Sequence, residues 1–386
     1  MIEAPNMLLI GSAGRNAGKT ELARLLIKKF RPNYEIVAVK VTTIQEPGGA
    51  CPRGGEGCGA CVSLDEGHCI TQETEVGHKK DTQRLLAAGA RNVFWVRVLK
   101  ASLEEGAAAL FKLVGSDVLI ICESNSLRTV VEPAVFLMVR HRDTKRSKRS
   151  ARNVQRHADR IVLSDGDRFD IDLDDIDVLN GEWLIRLNAT AIVLAGGKSE
   201  RTGQDKAMLS IGGRPMIEHV IAQLKPHFKQ ILLSVNAPND YAFVNVETVP
   251  DKVLGQGPLM AIASVLEASP YDRNFVVACD IPNINLTVVR KMIRDSERYD
   301  AVIPITGKSH IEPLFAVYRK SILEPMKTTL NAGKRKIADT FELCRIKYMD
   351  IRDATWLKNI NTQEEYEAFI AQSGFTMSST RRVNEP

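Results

Sequence analysis

The sequence predicts an α/β fold in two domains, and three observations carry that reading. Short apolar runs alternate with segments of helical spacing through both halves of the chain, the pattern of parallel strands joined by helices. Two glycine-rich turns, at residues 11–18 and 196–197, directly follow such runs. An acidic stretch without clear period, residues 164–188, separates the halves.

Each element has its own signal. Residues 7–10 (MLLI) predict a strand, 21–30 a helix with apolar residues at helical spacing, and 34–41 a second strand. Residues 47–69, rich in Gly and Cys, follow neither period and predict an inserted loop. Helices are expected at 81–88 and 103–113, and strands at 92–98 and 117–123, the latter ending in Glu123. Short strands at 135–139 and 160–163 flank the basic run 140–156. In the second half, strands at 191–195, 230–235, 274–278 and 301–304 alternate with helices at 216–224, 259–267 and 286–294. The expected organisation is a first domain over 1–175 with an insertion at 47–70, a linker over 176–189, and a second domain over 190–372. Residues 373–386, small, polar and charged, predict a disordered tail.

Composition sets bounds. The chain has 386 residues, 26% charged and 44% hydrophobic, enough for two cores. A net charge of +5 suits anionic small molecules as readily as nucleic acid. The basic run lacks interleaved aromatics, which argues against nucleic acid. No apolar run approaches the roughly 20 residues of a membrane span, and the N-terminus lacks a signal-peptide pattern, so a cytoplasmic protein without membrane contact is expected. Seven cysteines there imply thiols or metal ligands rather than disulfides.

Two motifs carry the chemistry. In AIVLAGGKSERTGQDKAML, residues 191–209, an apolar strand runs into Gly196 and Gly197, which let backbone approach a ligand, and then into Arg201 and Lys206, which supply positive charge. Asp280 follows the apolar run 274–278, so its carboxylate is expected at the end of a central strand, suited to Mg2+ or, more plainly, to capping a helix. The other motif, residues 13–20 (AGRNAGKT), lies between strand and helix and matches a P-loop with Ala13 replacing the first Gly. Gly14, Asn16 and Gly18 would cradle phosphates, Lys19 would reach the terminal phosphates and Thr20 would bind Mg2+, with Glu123 as the metal-side carboxylate. Cys51, Cys58, Cys61 and Cys69 fall within nineteen residues and predict a Zn2+ or iron-sulfur site, His68 being the substitute ligand. Cys122, Cys279 and Cys344 sit in apolar runs as core residues.

The second half resembles the molybdenum cofactor guanylyltransferases. The residues that carry the resemblance are Gly196 with Gly197, Asn236, Asp251, Gly257-Pro258-Leu259, Cys279-Asp280-Ile281-Pro282 and Asn359-Ile360-Asn361-Thr362, with Thr202 departing from the usual Met. The resemblance implies a Rossmann-like nucleotidyltransferase that moves GMP from GTP to molybdopterin. Leu194, Ala195, Gly196, Gly197, Lys206, Asn236, Asp251 and Asp280 would contact GTP, Asp280 would hold Mg2+, and Lys206 and Arg201 would stabilise developing charge. Leu-Ala-Gly-Gly and Gly-Pro-Leu favour guanine over cytosine, and either Asp251 or backbone groups would read the base. The first half, through Lys80-Asp81-Thr82 and Ala87-Ala88-Gly89-Ala90, is similar to the P-loop accessory protein of molybdopterin dinucleotide synthesis. Partners then expected are GTP, molybdopterin and molybdoenzyme apoproteins or cofactor-insertion proteins. Two other readings stay open: a cytidylyltransferase or other nucleotidyltransferase on the same fold, and a nucleotide-dependent metallochaperone or switch.

Overall fold

The computed structural model describes residues 1–14, 16–44, 64, 67–143, 148–195, 205–237, 241–307 and 309–373. The chain divides into two compact units, Met1–Ile185 and Arg186–Pro386.

The first unit runs β1 (Ile2–Ser12), α1 (Lys19–Phe30), β2 (Ile36–Ile44), β3 (His68–Gln72), α2 (Asp81–Ala87), β4 (Asn92–Leu99), α3 (Leu103–Val114), β5 (Leu119–Glu123), β6 (Val131–His141), α4 (Arg149–Val154), β7 (Arg160–Ser164), β8 (Ile176–Leu179) and β9 (Glu182–Ile185). Seven strands form one sheet in the order β3-β4-β2-β5-β1-β6-β7, parallel except for edge strand β3. Because side chains alternate across a strand, Leu8 and Ile10 pack under α1 while Met7 and Leu9 face the side covered by α3 and α4. Both faces are covered, which is why these strands read as continuous apolar runs.

Two expectations change here. Residues 68–72, at and beyond the end of the presumed insertion, form β3, antiparallel to β4. Residues 176–189, read as a linker, instead form the hairpin β8–β9 and the first residues of the next unit's first strand. Trp183 of β9 is 1% exposed and meets Phe30 edge-on at 4.9 Å. The acidic residues that suggested a solvated linker have partners: Asp175 takes Arg160 at 3.0 Å, and Asp174 takes Lys29 at 3.0 Å.

The second unit runs β10 (Leu187–Leu194), β11 (Ser210–Ile211), β12 (Arg214–Pro215), α5 (Met216–Leu224), β13 (Phe228–Val235), β14 (Glu247–Pro250), α6 (Pro258–Ala268), β15 (Arg273–Ala278), α7 (Leu286–Asp295), β16 (Ala301–Thr306), β17 (His310–Ile311), β18 (Phe315–Arg319), α8 (Leu323–Asn331), β19 (Ile346–Asp350) and α9 (Gln363–Ser373). Its main sheet has the order β14-β13-β10-β15-β18-β16-β17, with β19 pairing β16. α5 and α7 cover one face and α6 and α8 the other. From β10 the chain crosses to β13 on one side and later returns to β15 on the other, so ligand space opens at the carboxyl ends of β10 and β15. Strand β18, antiparallel to β15, completes the core with the fully buried Phe315 and Tyr318. Among the described residues no helix is long and apolar enough to cross a membrane.

Candidate functional site

In the second unit, parallel pairing sets Leu194 opposite Ala278, and the Cys279 N–H donates to the Leu194 carbonyl at 3.0 Å. Asp280 is thereby fixed beside the end of β10. Its backbone carbonyl accepts from Ile360 N–H at 2.8 Å, which draws residues 359–362 to the same edge. Lys206 begins a short turn capped by Asp205, whose Oδ1 accepts from Ala207 N–H at 3.0 Å. The Lys206 ammonium donates to Asn361 Oδ1 at 2.7 Å and lies 3.4 Å from Asp280 Oδ2. Three segments far apart in sequence thus meet at one cation.

Burial pushes the Asp280 carboxyl above its ordinary range, opposed mainly by Lys206. Its Oδ1 is buried and has no hydrogen-bond partner among the described residues. A desolvated, half-satisfied carboxylate gains from a cation at that oxygen, so the donor set fits Mg2+. At neighbouring Cys279, burial and then Asp280 push the thiol up to about 12, disfavouring the thiolate.

The remaining predicted contacts distribute as follows. Leu194 and Ala195 are each 7% exposed at the strand end, and the Ala195 N–H donates to the Ser234 carbonyl at 3.0 Å. Asn236 follows β13 and is exposed. Asp251 follows β14, its N–H bound to the Val235 carbonyl at 3.1 Å, with Oδ1 3.5 Å from the Ser234 hydroxyl. Burial raises the Asp251 carboxyl, and the Ser234 hydroxyl opposes this. Gly196, Gly197 and Arg201 lie outside the described residues. Tyr241 was missed by sequence reasoning. Its hydroxyl donates to Asp205 Oδ2 at 2.7 Å and lies 3.3 Å from the Ala195 carbonyl, from a backbone at φ +60°. No periodic signal announces a residue held in that conformation.

In the first unit, the chain passes from β1 at Ser12 to α1 at Lys19 through a short loop. Asn16 and Gly18 have φ of +51° and +91°, and a side chain at Gly18 would also meet Ser164 Oγ at 3.0 Å, so glycine is required there. Lys19 and Thr20 open α1, and the Thr20 hydroxyl donates to Glu123 Oε2 at 3.2 Å. Glu123 is 3% exposed, raised by burial and opposed mainly by Lys19, with Oε1 buried and unpartnered among the described residues. A cleft of about 640 Å3 lies here, lined by Gly14, Lys19, Thr20, Lys40, Glu123 and Lys148. Lys40 pairs with Asp81, and Arg84 links Asp81 (3.9 Å) to Glu21 (3.0 Å), a charged wall that Lys80-Asp81-Thr82 only hinted at.

Of the four predicted metal cysteines, Cys69 lies in β3, where its Sγ accepts from Arg97 Nη2 at 3.1 Å. His68 lies beside it in β3, opposite Val98. Cys51, Cys58 and Cys61 lie outside the described residues.

The second unit is an α/β domain whose topological switch point brings Lys206, Asp280 and Asn361 together, the position at which open α/β sheets gather their ligands. A family described as the MobA-like NTP transferase domain matches residues 191–345, within the second unit. A probable molybdenum cofactor guanylyltransferase of Carboxydothermus hydrogenoformans is 34% identical over 47% of this chain and 95% of its own length. One from Pelotomaculum thermopropionicum is 37% identical over 45% of this chain and 84% of its own. The structure of molybdopterin-guanine dinucleotide biosynthesis protein A from Archaeoglobus fulgidus aligns with a TM-score of 0.43 and 22% identity, over 48% of this chain and 98% of that one. The chain belongs to the molybdenum cofactor guanylyltransferase family, a family of nucleotidyltransferases.

Proposed function

We propose that the second unit transfers GMP from GTP to the terminal phosphate of molybdopterin, with release of pyrophosphate. The observation that carries this reading is Lys206 held between Asp280 and Asn361 at the switch point. Lys206 is poised to leave these partners for a triphosphate, whose oxygens it binds more strongly as charge builds during displacement. Arg201 adds a second positive charge. Gly196 and Gly197 admit the phosphates, while Leu194 and Ala195 form an apolar floor from which water is excluded. Asp251 accepts from the N1–H and exocyclic amine of guanine, a donor pair that cytosine lacks. Asn236 supports the nucleotide from the adjoining strand end. Asp280 would hold Mg2+, which when bound offsets charge on the phosphates. No covalent intermediate is needed, because the acceptor phosphate itself attacks the α-phosphorus. Incubation with molybdopterin and each radiolabelled nucleoside triphosphate tests the reading. GTP alone should yield the dinucleotide, and label transfer from CTP would replace guanine with cytosine.

The first unit is proposed to be a P-loop accessory domain, with Gly14, Asn16, Gly18, Lys19 and Thr20 cradling a nucleotide and Glu123 on its metal side. A deeply buried carboxylate with one unsatisfied oxygen beside the Thr20 hydroxyl supports this. Cys51, Cys58, Cys61 and Cys69 are proposed to bind Zn2+ or an iron-sulfur cluster. Metal content of the anaerobically purified protein tests this, because near-stoichiometric metal should fall in each Cys→Ser variant.

A further inference from the structure

Beside the loop cleft, the first unit contains a second concavity of about 580 Å3 that the reactions above do not use. It lies at the carboxyl edge of the sheet. Thr43 comes from the end of β2, Lys100 follows β4, Ser124 to Ser126 follow β5, and Lys148 and Arg149 arrive at the start of α4. Lys19 and Lys148 line both concavities.

Its lining is unbalanced in charge. Among the described lining residues, Lys19, Lys100, Lys148 and Arg149 accompany one carboxylate, Glu104, whose side chain is 66% exposed and leans 3.9 Å from the N-terminal ammonium. Among the described residues neither Lys100 nor Arg149 has an ion-pair partner. Hydroxyl groups accompany the charge. Thr43 Oγ1 is buried without a partner among the described residues, and Ser150 Oγ already accepts from Asn125 Nδ2 at 3.2 Å, which leaves its proton for another acceptor. Val41, Ala101, Leu103 and Val130 add apolar surface to the same lining.

We propose that this concavity binds a phosphomonoester of a small organic molecule, next to the anion held by residues 14–20. A phosphomonoester carries close to two negative charges at neutral pH and three acceptor oxygens, which matches an Arg fork, lysine point charges and hydroxyl donors converging from several segments. A carboxylate would leave most of the positive charge unmatched. A polynucleotide would need a continuous basic groove with stacking aromatics rather than a small-molecule-sized recess with an aliphatic wall. Sharing Lys19 and Lys148 allows two phosphate groups to lie side by side without uncompensated repulsion. The inference rests on the nucleotide reading of the loop only through those two shared lysines.

Pyridoxal 5′-phosphate is the probe, being itself a phosphomonoester of a small ring. Its aldehyde condenses with a lysine amine near its bound phosphate, releasing water, and borohydride fixes the imine as a secondary amine for peptide mapping. On the full chain with a saturating non-hydrolysable GTP analogue and Mg2+, Lys100 or Lys148 should react about tenfold faster than exposed Lys334. Inorganic phosphate should protect, and Arg149→Glu should erase the preference, a change of the size expected for losing one charged donor. Arg149 is exposed, so the variant should fold. Labelling no faster than at Lys334, no protection by phosphate, or an unchanged preference in Arg149→Glu would each overturn the proposal. The difference in filter binding of the analogue between the parent chain and Thr20→Ala, a loop residue outside this concavity, reads the loop separately. Failure there with selective labelling intact refutes only the nucleotide reading.

Discussion

Burial raises the Asp280 carboxyl, and the Lys206 ammonium 3.4 Å away is the main influence opposing that rise. In Asp280→Asn, Lys206 keeps its 2.7 Å bond to Asn361 and the desolvated charge disappears, so the fold should survive. Guanylyl transfer should nevertheless be abolished, and near-normal turnover at saturating Mg2+ would sink the assignment. Lys206→Ala should lower kcat on the order of 10²-fold, the usual scale for deleting one preorganised charge stabiliser, as measured at saturating GTP. Both residues were legible because each sits at a fixed offset from an apolar strand. The Lys206 bond to Asn361 was not, since the chain returns to this edge only after β19 and no local pattern records where it returns. Tyr241 was hidden for a different reason, its backbone conformation being one that side chains rarely announce.

Among the elements, the buried parallel strands and amphipathic helices were readable because their periods follow directly from which faces are covered. The hairpin β8–β9 was not, because its acidic residues imitate a solvated linker while Trp183 packs against α1. Trp183→Ala should destabilise the first unit by about 3–5 kcal/mol in urea unfolding, the usual cost of emptying a buried aromatic site. Trp183→Phe should cost much less, since the indole N–H it removes is buried without a partner among the described residues. In the turn between α5 and β13, burial and then the Arg290 guanidinium hold His227 down to about 4, below its ordinary 6.5. The unfolded chain takes up this proton near 6.5 and the folded one only near 4. The stabilising contribution is therefore complete above that upper value and is lost as pH falls through the window between them. His227→Gln should flatten the fall in unfolding free energy between neutral and acidic pH by on the order of 2 kcal/mol, measured in urea at both ends.

For the molecule as a whole, the two-sheet organisation was visible in the repeated strand and helix alternation; the units part at Ile185/Arg186, inside residues 176–189, but those residues form strands rather than a linker because covalent continuity says nothing about which core a segment joins. Each unit has its own main sheet with a core on either face and its own oxygen-rich pocket or strand-end carboxylate. The two proposed nucleotide sites, one in each unit, should then be separable by substitution. Lys19→Ala removes the ammonium at the start of α1 but leaves Lys206, Asp251 and Asp280 untouched, so titration with a GTP analogue should lose one of two binding steps. Guanylyl transfer by the same variant should stay within about threefold of the parent rate if the two proposed sites are uncoupled, the case in which effects add. Asp280→Asn should do the reverse, retaining nucleotide on the first unit while abolishing transfer. A loss of transfer in Lys19→Ala comparable to that in Asp280→Asn would mean that both phosphate sites act in one chemical step, and the first unit would then have to be counted as part of the catalytic apparatus.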